Sequence, residues 1–143
     1  MKGTVAELRQ VLAAAAFART YGFRLEAAGD GECTVEVPFR ESLERPGGIV
    51  SGATFMAAAD VAMWLAILTR LGPQDRSVTV EMKTAFLAAA RQESFRCTAR
   101  VLKWGRRLIY GVAECVGSGG KLLTHHTVTY IRADEAPGGG GSG

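Results

Sequence analysis

The sequence has no closely spaced cysteine pair, no run of basic residues and only two histidines. Cys33, Cys97 and Cys115 are odd in number and far apart, which excludes a CxxC zinc site and gives no disulfide framework. Each lies among apolar or strand-type neighbours and is expected in the core. The adjacent His125 and His126 point to opposite faces of a strand and cannot chelate one ion together, so no metal site is expected. The 17 basic residues are scattered among 14 acids, for a net charge of +3, without the stripe or module of a nucleic-acid binder. That excess leaves a mild bias toward anionic small molecules. A G-x-S-x-G elbow is also missing: Gly48-Ile49-Val50-Ser51-Gly52 has the wrong spacing, so Ser51 is not a hydrolase nucleophile by pattern. The opening MKGTVAELRQ lacks the charged-then-apolar layout of a secretory leader, and a cytoplasmic location is expected.

What remains is ordinary globular composition over 143 residues, enough for one domain, expected at 1–135. The glycine-rich end, 136–143, reads as a flexible linker and is set apart. Thr4-Val5-Ala6-Glu7 is a capping-box pattern, and the apolar residues after it recur at helical spacing as far as Gly22. Two strands follow around Gly29-Asp30-Gly31, then a loop over 40–51 punctuated by Pro46-Gly47-Gly48. A long helix is predicted from about Gly52 to Leu71, ended by Gly72-Pro73. The second half reads as four strands in a meander. Val78, Val80 and Met82 are expected on one face, and Leu108, Tyr110 and Val112 share another. Gly117-Ser118-Gly119-Gly120 resembles a phosphate loop in composition alone, and with no helix after it a hairpin turn is expected.

The predicted helix carries apolar residues on every side, and Asp60 is its one acid. An acid at the centre of a membrane span costs roughly 2.5–3.5 kcal/mol, so a buried core helix is the better reading and no membrane is expected. An α+β layout follows, with a curved antiparallel sheet wrapped around that helix. One sheet face cannot cover all of it, which argues for a second subunit. Asp60 itself has two readings, a buried acid paired to an arginine or the working group of a site.

The ordered pieces carry a resemblance. Val50-Ser51-Gly52-Ala53, Ala58-Ala59-Asp60, Thr79-Val80-Glu81-Met82, Phe86-Leu87 and Val101-Leu102-Lys103-Trp104-Gly105-Arg106 together resemble the hotdog-fold acyl-CoA thioesterases. More narrowly they are similar to the phenylacetate-pathway type of the 4-hydroxybenzoyl-CoA thioesterase superfamily, over about residues 20–132. The resemblance implies a hotdog fold, a homodimer or a dimer of dimers (a homotetramer), and a site at the dimer interface. It implies an acyl-CoA substrate and no cofactor, coenzyme A entering only as part of that substrate. Asp60 matches the catalytic acid, nucleophile or general base, and Gly52 the glycine whose N–H polarises the thioester carbonyl. Thr79 falls near a hydroxyl position. Ser51 stands where the family has histidine, and Arg45 where an asparagine is common.

The chemistry agrees with that assignment. A helix start offers oriented N–H donors to a developing oxyanion, and glycine admits the substrate. A carboxylate in a dry cleft is a stronger base than one in water. Around these groups the alternatives stay open. Ser51 caps the helix or meets substrate, and Arg45 pairs with Asp60 or binds a phosphate. Met56, Met63 and Trp64 pack in the core or line an acyl pocket; Arg91, Arg106 and their basic neighbours Lys103 and Arg107 meet nucleotide phosphates or solvent. A non-catalytic acyl-CoA binder is the rival reading.

Overall fold

The computed structural model describes residues 2–133; the tail at 136–143 lies outside the described residues. Helix α1 (Val5–Ala14) opens on the expected capping box, with Thr4 accepting from the Glu7 N–H and Glu7 accepting from the Thr4 N–H at 3.0 Å. The one helix expected up to Gly22 is two. Ala15 turns extended (φ −80°, ψ 107°), and α2 (Ala16–Tyr21) ends at Gly22 in left-handed geometry. The break lets Leu8 and Leu12 of α1 and Ala18 of α2 all reach the core.

Strands β1 (Arg24–Gly29) and β2 (Glu32–Val37) meet at a turn in which Asp30 and Gly31 take positive φ. The connection to the central helix holds a two-residue hairpin, β3 (Glu44–Arg45) with β4 (Ile49–Val50). Helix α3 (Gly52–Leu71) starts at Ser51, whose side chain accepts from the Thr54 N–H, and stops at Gly72 with φ 99°. Strands β5 (Val78–Phe86), β6 (Phe95–Trp104), β7 (Leu108–Val116) and β8 (Leu122–Ile131) complete the chain.

The main sheet is antiparallel with six strands in the order β1-β2-β6-β7-β8-β5. Only β6, β7 and β8 form the expected meander. β5 crosses to the far edge and pairs β8, because the connection after it runs back across the fold, fastened by Leu87 and Ala88 N–H on the Leu123 carbonyl and by the Val50 N–H on Ala90. Alternation along a strand reports its faces and not its neighbours. Bulges in β1, β5, β6 and at the start of β8 bend the sheet around α3.

The bulge in β5 also overturns an expected face. Thr79 lies opposite Tyr130 and Met82 opposite Val128, both partners turned inward, so the strand turns Thr79 and not Val78 toward the helix. Val78 and Val80 are 57% and 53% exposed. In β7 the shared face of Leu108, Tyr110 and Val112 is the outer one; Ile109, Gly111 and Ala113 face α3. Gly111 is required there, since a Cβ would come within 2.5 Å of the Met63 methyl and of the Arg100 carbonyl. The helix therefore sits hard against the sheet.

By length and composition α3 is apolar enough to cross a membrane, yet most of it is buried within the fold, which accounts for its apolarity. Its uncovered stripe runs through Ala53, Met56, Ala57, Asp60 and Trp64, at spacings of three and four. The three cysteines are free and buried.

Candidate active site

Asp60 is half-buried on that stripe, at the seam between α3 and the outer strands. Thr79 Oγ1 donates to its Oδ1 at 2.6 Å, and Tyr130 OH donates to the same Oδ1 at 2.8 Å. Tyr130 also reaches the Asp60 main-chain carbonyl at 3.0 Å, so its one proton is shared between two acceptors. Oδ2 makes no hydrogen bond among the described residues. No arginine pairs with Asp60 among them either, which removes the structural ion pair as the reason for the acid. Burial, reinforced by the Asp60 charge, pushes the Tyr130 phenol well above its ordinary range, so it stays a donor.

Tyr130 is the residue that sequence reading misses. Its signal is the register, in which Tyr130 stands opposite Thr79 across β8 and β5. That pairing follows from the crossover of β5 and leaves no trace in either strand's own pattern.

At the other end, Ser51 Oγ caps α3 and lies 2.9 Å from Thr54 Oγ1, so the capping reading of Ser51 holds. The N–H groups of Gly52 and Ala53 have no acceptor among the described residues, as the first turn of a helix leaves them. A Cβ on Gly52 would lie 3.1 Å from the exposed Phe86 ring, a contact that a shift of a few tenths of an ångström in that ring relieves. Beside it runs a groove of about 420 Å³, lined by Arg45, Val50, Gly52, Phe55, Phe86 and Leu87 among others. Arg45 and Arg91 hold the loop at its mouth, Arg45 Nε on the Pro46 carbonyl at 3.0 Å and Arg91 on the Gly47 carbonyl at 3.2 Å. Arg45 does not pair with Asp60.

The other expected residues divide. Met56 is 40% exposed and Trp64 half-buried on the open stripe, while Met63 is fully buried under Gly111. Arg106 is exposed in the β6–β7 hairpin. From that hairpin β7 runs beside β8, with Ile109 opposite Tyr130. His125 meets Glu114 on the outer face, and His126 is buried inside between Thr84 and Thr124. No cluster of metal-ligating side chains occurs among the described residues.

Comparison with known proteins agrees with this geometry. The Thioesterase superfamily matches residues 47–124, which span the groove, α3 and the strands as far as β8. A relative in Saccharolobus solfataricus is 35% identical over 92 residues, 64% of this chain and 65% of its own, so the match spans just under two thirds of that relative. A conserved protein of Pseudomonas aeruginosa has a solved structure that superposes with a TM-score of 0.82 at 31% identity, over 87% of this chain and 98% of that one. A hypothetical thioesterase of Streptococcus pneumoniae, solved with coenzyme A, shares the fold at a TM-score of 0.75 and 14% identity, over 91% of this chain and 97% of its own. The six-stranded antiparallel sheet around α3 is the hotdog arrangement. With a family match over more than half its length, the chain belongs to the thioesterase superfamily and, through it, to the thioester hydrolases.

Proposed function

We propose that the protein hydrolyses an acyl-CoA thioester in a site shared by two copies of the chain. The carrying observation is the state of Asp60: a carboxylate at an open seam, with one oxygen held by two hydroxyls and, among the described residues, no partner for the other and no paired cation. Gly52 lies eight residues earlier on the same helix, about 12 Å along the axis at 1.5 Å per residue. A carbonyl that accepts from the Gly52 N–H at about 3 Å is out of reach of Asp60 on the same helix, even through one water, so the two groups of one site come from different protomers in this reading. A two-fold dimer that sets Asp60 of one helix beside the Gly52 end of another would complete the site.

The surface supports that dimer. The open stripe of α3 and the unpaired edge of β5 adjoin, and Val78, Val80, Phe86 and Leu87 are each more than half exposed there. Arg45 and Arg91 stand at the mouth of the groove. Guanidinium groups beside an apolar groove suit a ligand with an acyl end and phosphates. A relative of the same fold was solved with coenzyme A, which fits that ligand class. Three free thiols suit a reducing compartment such as the cytoplasm.

In this reading the acyl chain lies in the groove and its carbonyl oxygen accepts from the Gly52 N–H. Asp60 Oδ2 takes a proton from water as the water oxygen bonds to the carbonyl carbon. The negative charge then rests on the carbonyl oxygen against the helix start. As the C–S bond breaks, the proton passes to the departing sulfur, leaving free acid and coenzyme A. Direct attack by the carboxylate, which expels coenzyme A and leaves a mixed anhydride for water to open, is the other route for the same group; in one turnover in ¹⁸O-water, label enters Asp60 only by that route, when water adds to the Asp60 side of the anhydride.

The test is release of free thiol from a panel of acyl-CoAs. Wild type turns over a member of the panel, and Asp60→Ala loses about 10²- to 10⁴-fold in kcat. Equal, slow release by both proteins on every substrate would overturn the reading. One observation favours a non-catalytic binder: at the place of the family's histidine stands Ser51, whose Oγ caps α3 and pairs with Thr54 Oγ1. Tight binding of intact acyl-CoA without hydrolysis over hours would establish that alternative.

A further inference from the structure

We infer that Tyr130 is a positioning residue that, with Thr79, fixes Oδ1 of Asp60 and leaves Oδ2 as the single working oxygen; this rests on the Asp60 reading above. A carboxylate on a helix turns about its last torsion, and either oxygen would then face the cleft. Here two hydroxyls converge on one oxygen, at 2.6 and 2.8 Å. They come from different strands, Thr79 from β5 and Tyr130 from β8, which are held opposite each other by the ladder.

Tyr130 adds a second restraint. Its hydroxyl also meets the main-chain oxygen of Asp60, so it grips the side chain and the backbone of the same residue. The ring is 3% exposed, and it cannot swing away without opening the layer between sheet and helix. Both hydroxyls donate to the charged carboxylate, bonds stronger than those between neutral groups. The carboxylate is therefore pre-aimed, and no rotation is needed when water and thioester arrive.

Tyr130 never touches substrate in this arrangement, so its removal acts on kcat and not on binding. Tyr130→Phe keeps the ring and removes only the hydroxyl. It is expected to lower kcat about tenfold with KM within about twofold of wild type. Thr79→Val is expected to do the same, while Thr79→Ser, which restores the donor, recovers most of the activity. A spectroscopic readout stands apart from turnover: in Asp60→Asn the charge that helps hold the Tyr130 proton is gone, so tyrosinate absorbance from Tyr130 appears at lower pH than in wild type.

A folded Tyr130→Phe with unchanged thermal midpoint and wild-type kcat overturns the inference, even if Asp60→Ala is inactive and the hydrolase reading stands. Undiminished turnover in Asp60→Ala overturns both. If Tyr130→Phe fails to fold, the Thr79 pair decides: equal kcat in the Val and Ser variants contradicts the clamp.

Discussion

Asp60 with Thr79 and Tyr130, and His126 with Thr84 and Thr124, are two polar groups set into the same apolar layer between α3 and the sheet. At His126 both ring nitrogens meet a hydroxyl, Nδ1 at 2.8 Å from Thr84 and Nε2 at 2.7 Å from Thr124, and the ring is fully buried. The Cys115 sulfur lies 3.9 Å from Nε2, closing that side. At Asp60 one oxygen is doubly engaged, the other is free, and the residue is half-open on the uncovered stripe of α3. A polar group that is fully paired and sealed has nothing left to offer a ligand. One that is paired on one side and open on the other is held in place while keeping a reactive face. In this fold the sealed and fully paired His126 is a structural group, and the half-open, half-paired Asp60 keeps a face for a ligand.

Substitutions at the two clusters should therefore fail in opposite ways. The largest effect falls on catalysis at Asp60, where Asp60→Ala removes most of kcat without unfolding the protein. Next comes His126→Leu, which leaves the Thr84 and Thr124 hydroxyls unpaired in or near the core. It should cost about 2 kcal/mol of stability, read by urea denaturation, with kcat of the folded fraction close to wild type. A loss of kcat at His126 matching that at Asp60 would erase the distinction.

The smallest effect is alkaline. The Tyr130 phenol is raised in the fold above its ordinary 10.0, so the unfolded chain loses that proton first. Its contribution to stability is complete below pH 10 and declines as pH rises beyond it. Tyr130→Phe lacks that decline, and its stability should fall less steeply than wild type above pH 10. Cys33, pushed up to about 12 by burial, adds the same alkaline loss to both proteins and serves as the internal reference. Parallel curves for the two proteins would contradict the buried, protonated phenol.

Much of this was legible in the sequence where the cause is local. Ser51 before Gly52 and Gly72-Pro73 after Leu71 bound α3 because capping and helix termination act within a turn. Asp60 stands out as the one acid in a mostly apolar helix, and Thr79 is placed by the resemblance. The edge position of β5 was not legible, since it depends on a crossover that strand alternation does not encode. Tyr130 was hidden for the same reason: its role exists only once β5 and β8 are paired and a bulge at Val80 has turned Thr79 inward. Val78 and Val80 showed the converse error, where a perfect apolar alternation belonged to an exposed edge.

The central claim is that Asp60 of one copy works with the Gly52 N–H of another, and a mixed-dimer assay tests it directly. Gly52→Pro deletes that N–H at the first helical position, where proline is tolerated, and Ser51 already has the extended geometry (φ −68°, ψ 148°) that a residue before proline requires. Gly52→Pro and Asp60→Ala should each be nearly inactive alone. Unfolded together and refolded as a mixture, half the dimers carry one of each chain and one intact site, so activity should return to about a quarter of wild type. Activity no higher than the average of the two separate variants would contradict the shared site.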